Sequence, residues 1–144
     1  MKVLITGGAG YLGTVLTEEI LNRFPYAKVI VYDNLMYKQD GLFSFFKYPK
    51  DRFEFVYGDV RDKNSLLEQL QKLDKNNDYV IPLAAIVGFP ACARDEKLAA
   101  AVNFEHVKYI VQSTRCRIIY PNTNSGYGVS DGEAHCTEET PLAP

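Results

Sequence analysis

The chain has 144 residues and a formal net charge of −2, with 16 basic and 18 acidic residues, which is the usual size of one domain. Its composition, 47% hydrophobic and 24% charged, excludes a disordered or low-complexity chain and allows a buried core. The absence of a basic excess predicts no nucleic-acid partner. The longest uncharged stretch, residues 79–93, contains two prolines and is too short to span a membrane. Three cysteines without a Cys-x-x-Cys pair indicate reduced thiols and a cytoplasmic location.

Five short apolar runs predict strands at residues 2–5, 28–32, 52–57, 79–84 and 117–120. Three segments of helical period lie between them. The first runs from Tyr11 to near Pro25, with an apolar face of Leu12, Val15, Leu16, Ile20 and Phe24. The second, capped by Asp62 or Asn64, carries Leu66, Leu67, Leu70 and Leu73. The third covers residues 95–114, with Leu98, Ala101, Val102, His106, Val107, Ile110 and Val111 on one side.

Strands that are apolar on both faces and alternate with helices predict an α/β fold, a Rossmann-type doubly wound parallel sheet with helices on both faces. Its ligand crevice would lie at the carboxyl ends of the strands. We expect one domain over residues 1–144. Residues 34–50 predict a loop with one short helix, and we interpret Phe43, Phe45 and Phe46 there as packing residues rather than ligand contacts.

A glycine-rich turn lies directly between the first strand and the first helix, at Gly7-x-x-Gly10-x-x-Gly13. Glycines at this spacing allow a tight turn, close approach of the backbone to a pyrophosphate and close packing of helix on strand. The amides at the start of the helix would then face the phosphates. This context favours a dinucleotide site over a purely structural turn.

Asp33 ends the second strand, 20 residues after Gly13, where an acid would hold the adenosine ribose hydroxyls. A carboxylate accepts from a 2′-hydroxyl and repels a 2′-phosphate, and the next three residues carry no positive charge. We therefore predict NAD as the cofactor rather than NADP. The alternative is that Asp33 only caps a turn.

Further segments, in chain order, resemble those of the extended short-chain dehydrogenase/reductase family, the NAD-dependent nucleotide-sugar epimerases and dehydratases. Besides the turn Thr6-Gly7-Gly8-Ala9-Gly10-Tyr11-Leu12-Gly13, they are Tyr32-Asp33-Asn34-Leu35, Gly58-Asp59-Val60-Arg61-Asp62, Leu83-Ala84-Ala85, Val102-Asn103, Ser125-Gly126-Tyr127-Gly128 and Thr137-Glu138-Glu139-Thr140-Pro141. The resemblance implies that Asp59 and Val60 flank the adenine and that Asn103 supports the active-site backbone. The other cofactor-binding residues that it implies are Gly7, Gly10, Tyr11, Leu12, Gly13, Asp33, Asn34, Leu83, Ala84 and Ala85.

Two local departures from the family pattern stand in the fourth and fifth strands. Pro82 replaces the family's usual His, and Pro121-Asn122-Thr123-Asn124 replaces a run of serines. By its distance from Gly128, Thr123 matches the family's catalytic Ser or Thr. The resemblance implies that its hydroxyl donates a hydrogen bond to the substrate's sugar oxygen.

The family's general base, a Tyr with a Lys four residues later, is missing, since none of the ten tyrosines has that Lys. We therefore expect the chain to be the amino-terminal portion of such an enzyme, without its carboxyl-terminal substrate domain, and to be inactive on its own. The resemblance implies a nucleotide-sugar substrate and a homodimer of the full-length form. A catalytically inert dinucleotide-binding module is the alternative, while Asp33 opposes an NADP-dependent carbonyl reductase.

The remaining polar candidates predict no metal site and no other catalytic pair. We interpret His106, on the long helix, as a packing or interface residue. His135 and Cys136 are adjacent, and neighbouring side chains rarely converge on one atom.

Overall fold

The computed structural model describes residues 1–128 and 136–142. Five parallel strands form one sheet in the order β3-β2-β1-β4-β5. They are β1 (Lys2–Thr6), β2 (Lys28–Asp33), β3 (Phe53–Tyr57), β4 (Tyr79–Pro82) and β5 (Arg117–Ile118). After β3 the chain returns to the far side of β1, which is the strand order of a Rossmann-type sheet. The predicted fold class is confirmed.

Helices cover both faces of this sheet: α1 (Tyr11–Arg23), α2 (Lys63–Leu70), α3 (Phe89–Arg94), α4 (Glu96–Ala100) and α5 (His106–Ser113). A π-helical segment, Ala101–Glu105, joins α4 to α5, so the chain is helical from residue 96 to 113. Two 3₁₀ helices follow β2 and β5, at Gly41–Phe45 and Asn124–Tyr127. Within the described residues, no helix is long and apolar enough to cross a bilayer.

The core consists of two apolar layers, one on each face of the sheet. The α1 layer contains Val3, Ile5, Ile20, Leu21, Val29, Val31, Phe45, Phe53 and Ile81. The layer beneath α2, α4 and α5 contains Leu4, Ile30, Tyr32, Leu66, Leu70, Val80, Ala99, Val102 and Ile110. Successive residues of β1 and β2 point to opposite layers, and both layers are buried. This explains why these strands read as uninterrupted apolar runs.

The apolar face predicted for α1 was wrong in part. Leu12, Val15 and Phe24 are 53%, 48% and 50% exposed, whereas Ile20 is buried as predicted. The helix also buries Gly13, Thr17 and Leu21. A Cβ atom on Gly13 would lie 2.5 Å from the Gly8 Cα, so this close approach fixes the rotation of the helix. Leu12 is therefore left at the surface above the strand ends.

Strands β4 and β5 both end two residues earlier than predicted, and Pro82 explains where the pairing between them stops. Pro82 is the last residue of β4 and has no N–H to donate to β5. The pairing therefore stops after Ile119 N donates to the Val80 carbonyl, at 3.0 Å. Ile119 and Tyr120 are more than half exposed. The short helix α3 was not predicted.

The short helix in the loop after β2 is confirmed, and so is part of the aromatic interpretation. Phe45 is 4% exposed and its ring lies 5.4 Å from that of Phe53. The Phe46 ring also packs edge-on against the Phe53 ring, at 5.9 Å, but Phe46 is 56% exposed. Phe43 is 73% exposed. The interpretation of His106 as a packing residue is confirmed by its burial.

Candidate cofactor site

An open groove of about 1110 Å³ lies at the carboxyl ends of β1, β2 and β4. This is where the doubly wound fold places its ligand crevice, at the point where the strand order reverses. All of the site residues predicted from the sequence line this groove: Gly7, Gly10, Tyr11, Leu12, Gly13, Asp33, Asn34, Asp59, Val60, Leu83, Ala84, Ala85, Asn103 and Thr123. Their shared location agrees with the predicted roles, which stay predictions.

The glycine turn packs so closely that two of its glycines are required by the fold itself. Gly7 has a φ of +69°, and a Cβ on it would lie 2.4 Å from the Ala84 backbone nitrogen. Gly13 lies against Gly8 in the same way. Gly10 differs, because the nearest atom to its Cβ would be the Gly7 carbonyl oxygen at 3.3 Å. A side chain at Gly10 would therefore project into the groove.

The amino terminus of α1 opens onto this groove. Gly10 is the cap residue, no side chain of the described residues caps the helix, and its first turn contains no acid. Tyr11, Leu12 and Gly13 of that turn line the groove. Since the described lining residues include no Lys or Arg, an anion bound here would rely on backbone amides and the helix dipole.

Asp33 is nearly buried, at 8% exposure, and its carboxylate joins two loops. Oδ2 accepts a hydrogen bond from Ala9 N at 3.0 Å, and Oδ1 accepts one from Leu35 N at 2.7 Å. Turn capping, the alternative role, is thus present in the structure. A carboxylate oxygen accepts about two hydrogen bonds, so both oxygens keep capacity for ribose hydroxyls.

Asp59 stands at the β3 end of the groove in a saturated polar network. Its Oδ1 accepts from Arg61 N and Nε, both at 2.9 Å, and its Oδ2 accepts from Arg61 Nη2 at 2.7 Å and from Asn34 Nδ2 at 3.1 Å. These contacts, led by the Arg61 guanidinium, lower the pKa of Asp59 from 3.8 to about 2. The carboxylate therefore stays ionised and links the loop after β2 to the loop after β3.

Asn103 fixes the opposite wall of the groove, beyond the end of β4. Its Oδ1 accepts from Ile86 N at 2.8 Å and its Nδ2 donates to the Ile86 carbonyl at 3.0 Å. Cys92 Sγ donates to that same carbonyl at 3.3 Å. This geometry agrees with the backbone support that the family resemblance implies for Asn103.

Thr123 lies after β5, at the far end of the groove from Asp59. Its side chain is exposed, its amide donates to Asn122 Oδ1 at 2.8 Å, and its carbonyl accepts from Gly126 N at 3.3 Å. His135 lies outside the described residues. Within residues 1–128 and 136–142, no three His, Cys, Asp or Glu side chains gather as ligands for a metal.

Several groove residues were missed by the sequence reasoning: Met36, Tyr37, Gln39, Val87, Gly88 and Phe89. They belong to the loop after β2 and to the start of α3, where no periodicity or glycine motif marks a site. The only available signal was that these segments follow strands whose carboxyl ends meet at one edge.

A match to a family model decides the assignment. The model described as the NAD dependent epimerase/dehydratase family covers residues 3–144. The chain belongs to this family. This confirms the resemblance drawn from the motifs and, with it, NAD as the cofactor of the family.

Known members of this family are similar over nearly the whole chain. CDP-paratose 2-epimerase of Salmonella typhi is 32% identical over 133 residues, which cover 89% of this chain and 38% of that protein. Crystal structures of DesIV, a dTDP-glucose 4,6-dehydratase of Streptomyces venezuelae, and of Thermus thermophilus UDP-glucose 4-epimerase, both with NAD, are each 27% identical. They superpose with TM-scores of 0.85 and 0.80, and each match covers 100% of this chain.

The chain spans less than half the length of these proteins: 38% of the Salmonella epimerase, 46% of DesIV and 45% of the Thermus epimerase.

Proposed function

We propose that the groove binds NAD and that the chain acts as the cofactor-binding half of an NAD-dependent nucleotide-sugar epimerase or dehydratase. The observation that carries the proposal is the convergence of three features on one groove. The uncapped start of α1, the close-packed glycine turn and the Asp33 carboxylate all lie at the strand-order reversal. The residues present fit a dinucleotide, because the backbone amides at the start of α1 can donate to its phosphates and the Asp33 carboxylate can accept from the hydroxyls of a ribose.

Asp33 supports NAD over NADP on electrostatic grounds. A 2′-phosphate would be brought against this nearly buried carboxylate, and no Lys or Arg of the described lining residues could neutralise it. Burial strengthens such repulsion, since solvent screens it less.

The reaction we propose is oxidation of a sugar ring carbon to a ketone, epimerisation or dehydration of this keto-sugar, and its reduction by the returned hydride. The hydroxyl proton released in the oxidation would go to the family's Tyr base, which the 144 residues do not contain with its Lys. NAD, when bound, supplies the hydride acceptor. Thr123 would donate a hydrogen bond from its hydroxyl to the sugar oxygen at that carbon. The proposal of a nucleotide sugar as substrate is supported by the relatives, which are named for CDP-paratose, dTDP-glucose and UDP-glucose.

The proposal also includes a cellular location and an oligomeric state. We propose a cytoplasmic location, which the three free cysteines support. We propose a homodimer of the full-length form through the helix at residues 96–113. Phe104 and Val111 on that helix are more than half exposed, and apolar residues of this kind favour a partner helix.

One observation favours a second function, an inert dinucleotide-binding module. None of the ten tyrosines in the 144 residues has a Lys four positions later. A Tyr with its usual pKa of about 10 is a poor base at neutral pH without such a positive neighbour. The two functions share NAD binding and differ in turnover.

Calorimetric titration of the purified chain with NAD and with NADP tests the shared step. We expect NAD to bind more tightly, and equal affinity or a preference for NADP would contradict the proposal. The 144 residues alone should show negligible turnover under either function, because no Tyr among them has a Lys four positions later. Addition of CDP-, dTDP- or UDP-linked sugars therefore separates the two functions in a longer chain of the native reading frame that includes such a Tyr and Lys. In that chain, NADH absorbance or a converted sugar supports the enzyme, and bound NAD that stays unreacted supports the module.

A further inference from the structure

His106, the first residue of α5, is a buried titratable side chain outside the groove lining, with an exposed fraction of 3%. Its Nδ1 contacts the Val102 carbonyl. A carbonyl only accepts hydrogen bonds, so Nδ1 carries a proton. Its Nε2 lies 3.4 Å from Thr6 Oγ1. In a neutral ring Nε2 accepts, and the Thr6 hydroxyl is then the donor.

The surroundings keep this ring neutral and select one tautomer. Burial lowers the pKa of His106, and the hydrogen bond to the Val102 carbonyl opposes this shift only in part. Thr6 is fully buried at the end of β1, directly before the glycine turn. The hydrogen bond made by one ring nitrogen decides which nitrogen holds the proton. The Val102 carbonyl, which only accepts, therefore selects the Nδ1–H form, and the Thr6 hydroxyl accommodates this form by donating to Nε2.

The carbonyl that His106 holds belongs to the π-helical segment, Ala101–Glu105. Turns of this kind are rare and recur at functional sites. The residue after Val102 is Asn103, which bonds both backbone groups of Ile86. Ile86 lines the groove. A continuous set of hydrogen bonds thus runs from Thr6 through His106 to the turn that carries Asn103.

We propose that His106 is a positioning residue for the cofactor groove. Its Nδ1–H fixes the turn at Val102, this turn orients Asn103, and Asn103 fixes the Ile86 backbone in the groove wall. His106 touches neither cofactor nor substrate. The inference rests on the proposed function for its effect on NAD, while its effect on Ile86 is independent of any ligand.

Nuclear magnetic resonance of the ligand-free chain tests the structural part. The ¹⁵N shifts of the ring should show a neutral His106 with the proton on Nδ1. His106→Phe should accelerate hydrogen exchange of the Ile86 amide by about tenfold or more, the effect of losing one buried hydrogen bond. Exchange of core amides in β1, such as Leu4, should change less.

Two further variants separate positioning from simple packing. His106→Asn places an amide donor near the position of Nδ1, and should retain most of the protection of the Ile86 amide. Tyr109→Phe is the matched control, because it removes a 3.2 Å hydrogen bond from the same helix to the Lys63 carbonyl. It should leave the exchange of Ile86 unchanged.

Calorimetry with NAD then tests the consequence for the groove. His106→Phe should weaken NAD binding by about tenfold, and His106→Asn by less than about threefold. A proton on Nε2, or His106→Phe with unchanged Ile86 exchange, overturns the proposal. If the Phe variant does not fold, the tautomer and the Asn variant decide, and loss of Ile86 protection in the Asn variant overturns it. A wild-type chain that fails to bind NAD, with Ile86 protected as expected, contradicts the proposed function only.

Discussion

The Asp33 carboxylate accepts a hydrogen bond from the backbone amide of Ala9, 24 residues earlier in the chain, at 3.0 Å. This contact ties the glycine turn after β1 to the end of β2. One residue thus has two tasks, since the carboxylate proposed to select the cofactor also fixes the loop that would hold its phosphates. Substitutions of Asp33 must be designed to separate these tasks.

Replacement of Asp33 by Asn and by Ser tests the selectivity. Asp33→Asn removes the charge and keeps an acceptor for only one of the two backbone amides, Ala9 N or Leu35 N. The preference for NAD over NADP should therefore narrow, and the loop should be loosened less than by Asp33→Ser. Asp33→Ser should also narrow this preference. It should in addition weaken the binding of both cofactors by on the order of 1–3 kcal/mol, the contribution of hydrogen bonds to a charged group. Calorimetric titration with both cofactors measures these changes.

Asp40→Asn is the matched control, because Asp40 lies exposed in the same loop and its side chain makes no capping bond. It should leave the preference as in the wild type. An Asp33→Asn variant that discriminates as strongly as the wild type would show that another group selects the cofactor.

The three glycines of the turn should respond differently to a side chain. Gly10→Val should abolish NAD binding and leave the chain folded, because Gly10 lines the groove and its Cβ would be no closer than 3.3 Å to the nearest atom, the Gly7 carbonyl oxygen. Gly7→Ala and Gly13→Ala should lower the midpoint strongly, because their Cβ atoms would lie 2.4 Å and 2.5 Å from backbone atoms. Calorimetry for NAD and circular dichroism for unfolding distinguish the two classes. Unchanged NAD affinity in Gly10→Val would make the turn purely structural.

The sequence was sufficient to predict the strands, the glycine turn and the face of the groove, because these depend on local residue types. Gly7 and Gly13 are required by close backbone contacts, and the spacing of the glycines shows this directly. The position of Asp33 in the groove could be predicted because the carboxyl ends of parallel strands all lie at the same edge of the sheet.

What the sequence could not predict depends on contacts between distant elements. The close contact of Gly13 with Gly8 sets the rotation of α1. Apolar periodicity alone predicted that Leu12 and Val15 would be buried, whereas the structure buries Thr17. The π-helical segment at Ala101–Glu105 has no propensity signature. Its backbone pattern is accompanied by side-chain hydrogen bonds of His106 with Val102 and Thr6 and of Asn103 with Ile86, and only the fold reveals these partners.

Thr17 offers a test of core energetics in α1. It is fully buried, and its Oγ1 has no hydrogen-bond partner among the described residues. An unsatisfied buried hydroxyl costs about 1–3 kcal/mol, so Thr17→Val, which has nearly the same shape, should raise the free energy of unfolding by about 1 kcal/mol. Thr14→Val is the control, because Thr14 Oγ1 bonds to the Gly10 and Tyr11 carbonyls. Thr14→Val should not raise the free energy of unfolding. Urea unfolding measures both, and a loss of stability in Thr17→Val would contradict the assignment.

The ion pair between Asp59 and Arg61 predicts a specific dependence on pH. The contact lowers the pKa of Asp59 to about 2 in the folded chain, below its value in the unfolded chain. The resulting stabilisation is therefore complete above the unfolded pKa and is lost as the pH falls toward the folded one. Arg61→Gln removes the charge and two of the donors. The pKa of Asp59 should then return toward about 3.9.

Titration of the Asp59 carboxyl carbon by nuclear magnetic resonance measures this shift, and unfolding at several pH values measures its consequence. The difference in stability between wild type and Arg61→Gln should be constant above about pH 5 and should shrink toward about pH 2. Arg23→Gln serves as the control, because it breaks the exposed ion pair of Arg23 with Glu19, where such pairs contribute little. An Asp59 carboxyl that titrates identically in wild type and Arg61→Gln would show that the remaining donors, Asn34 and the Arg61 amide, hold its charge without the guanidinium. The link between the two loops would then depend on these neutral contacts.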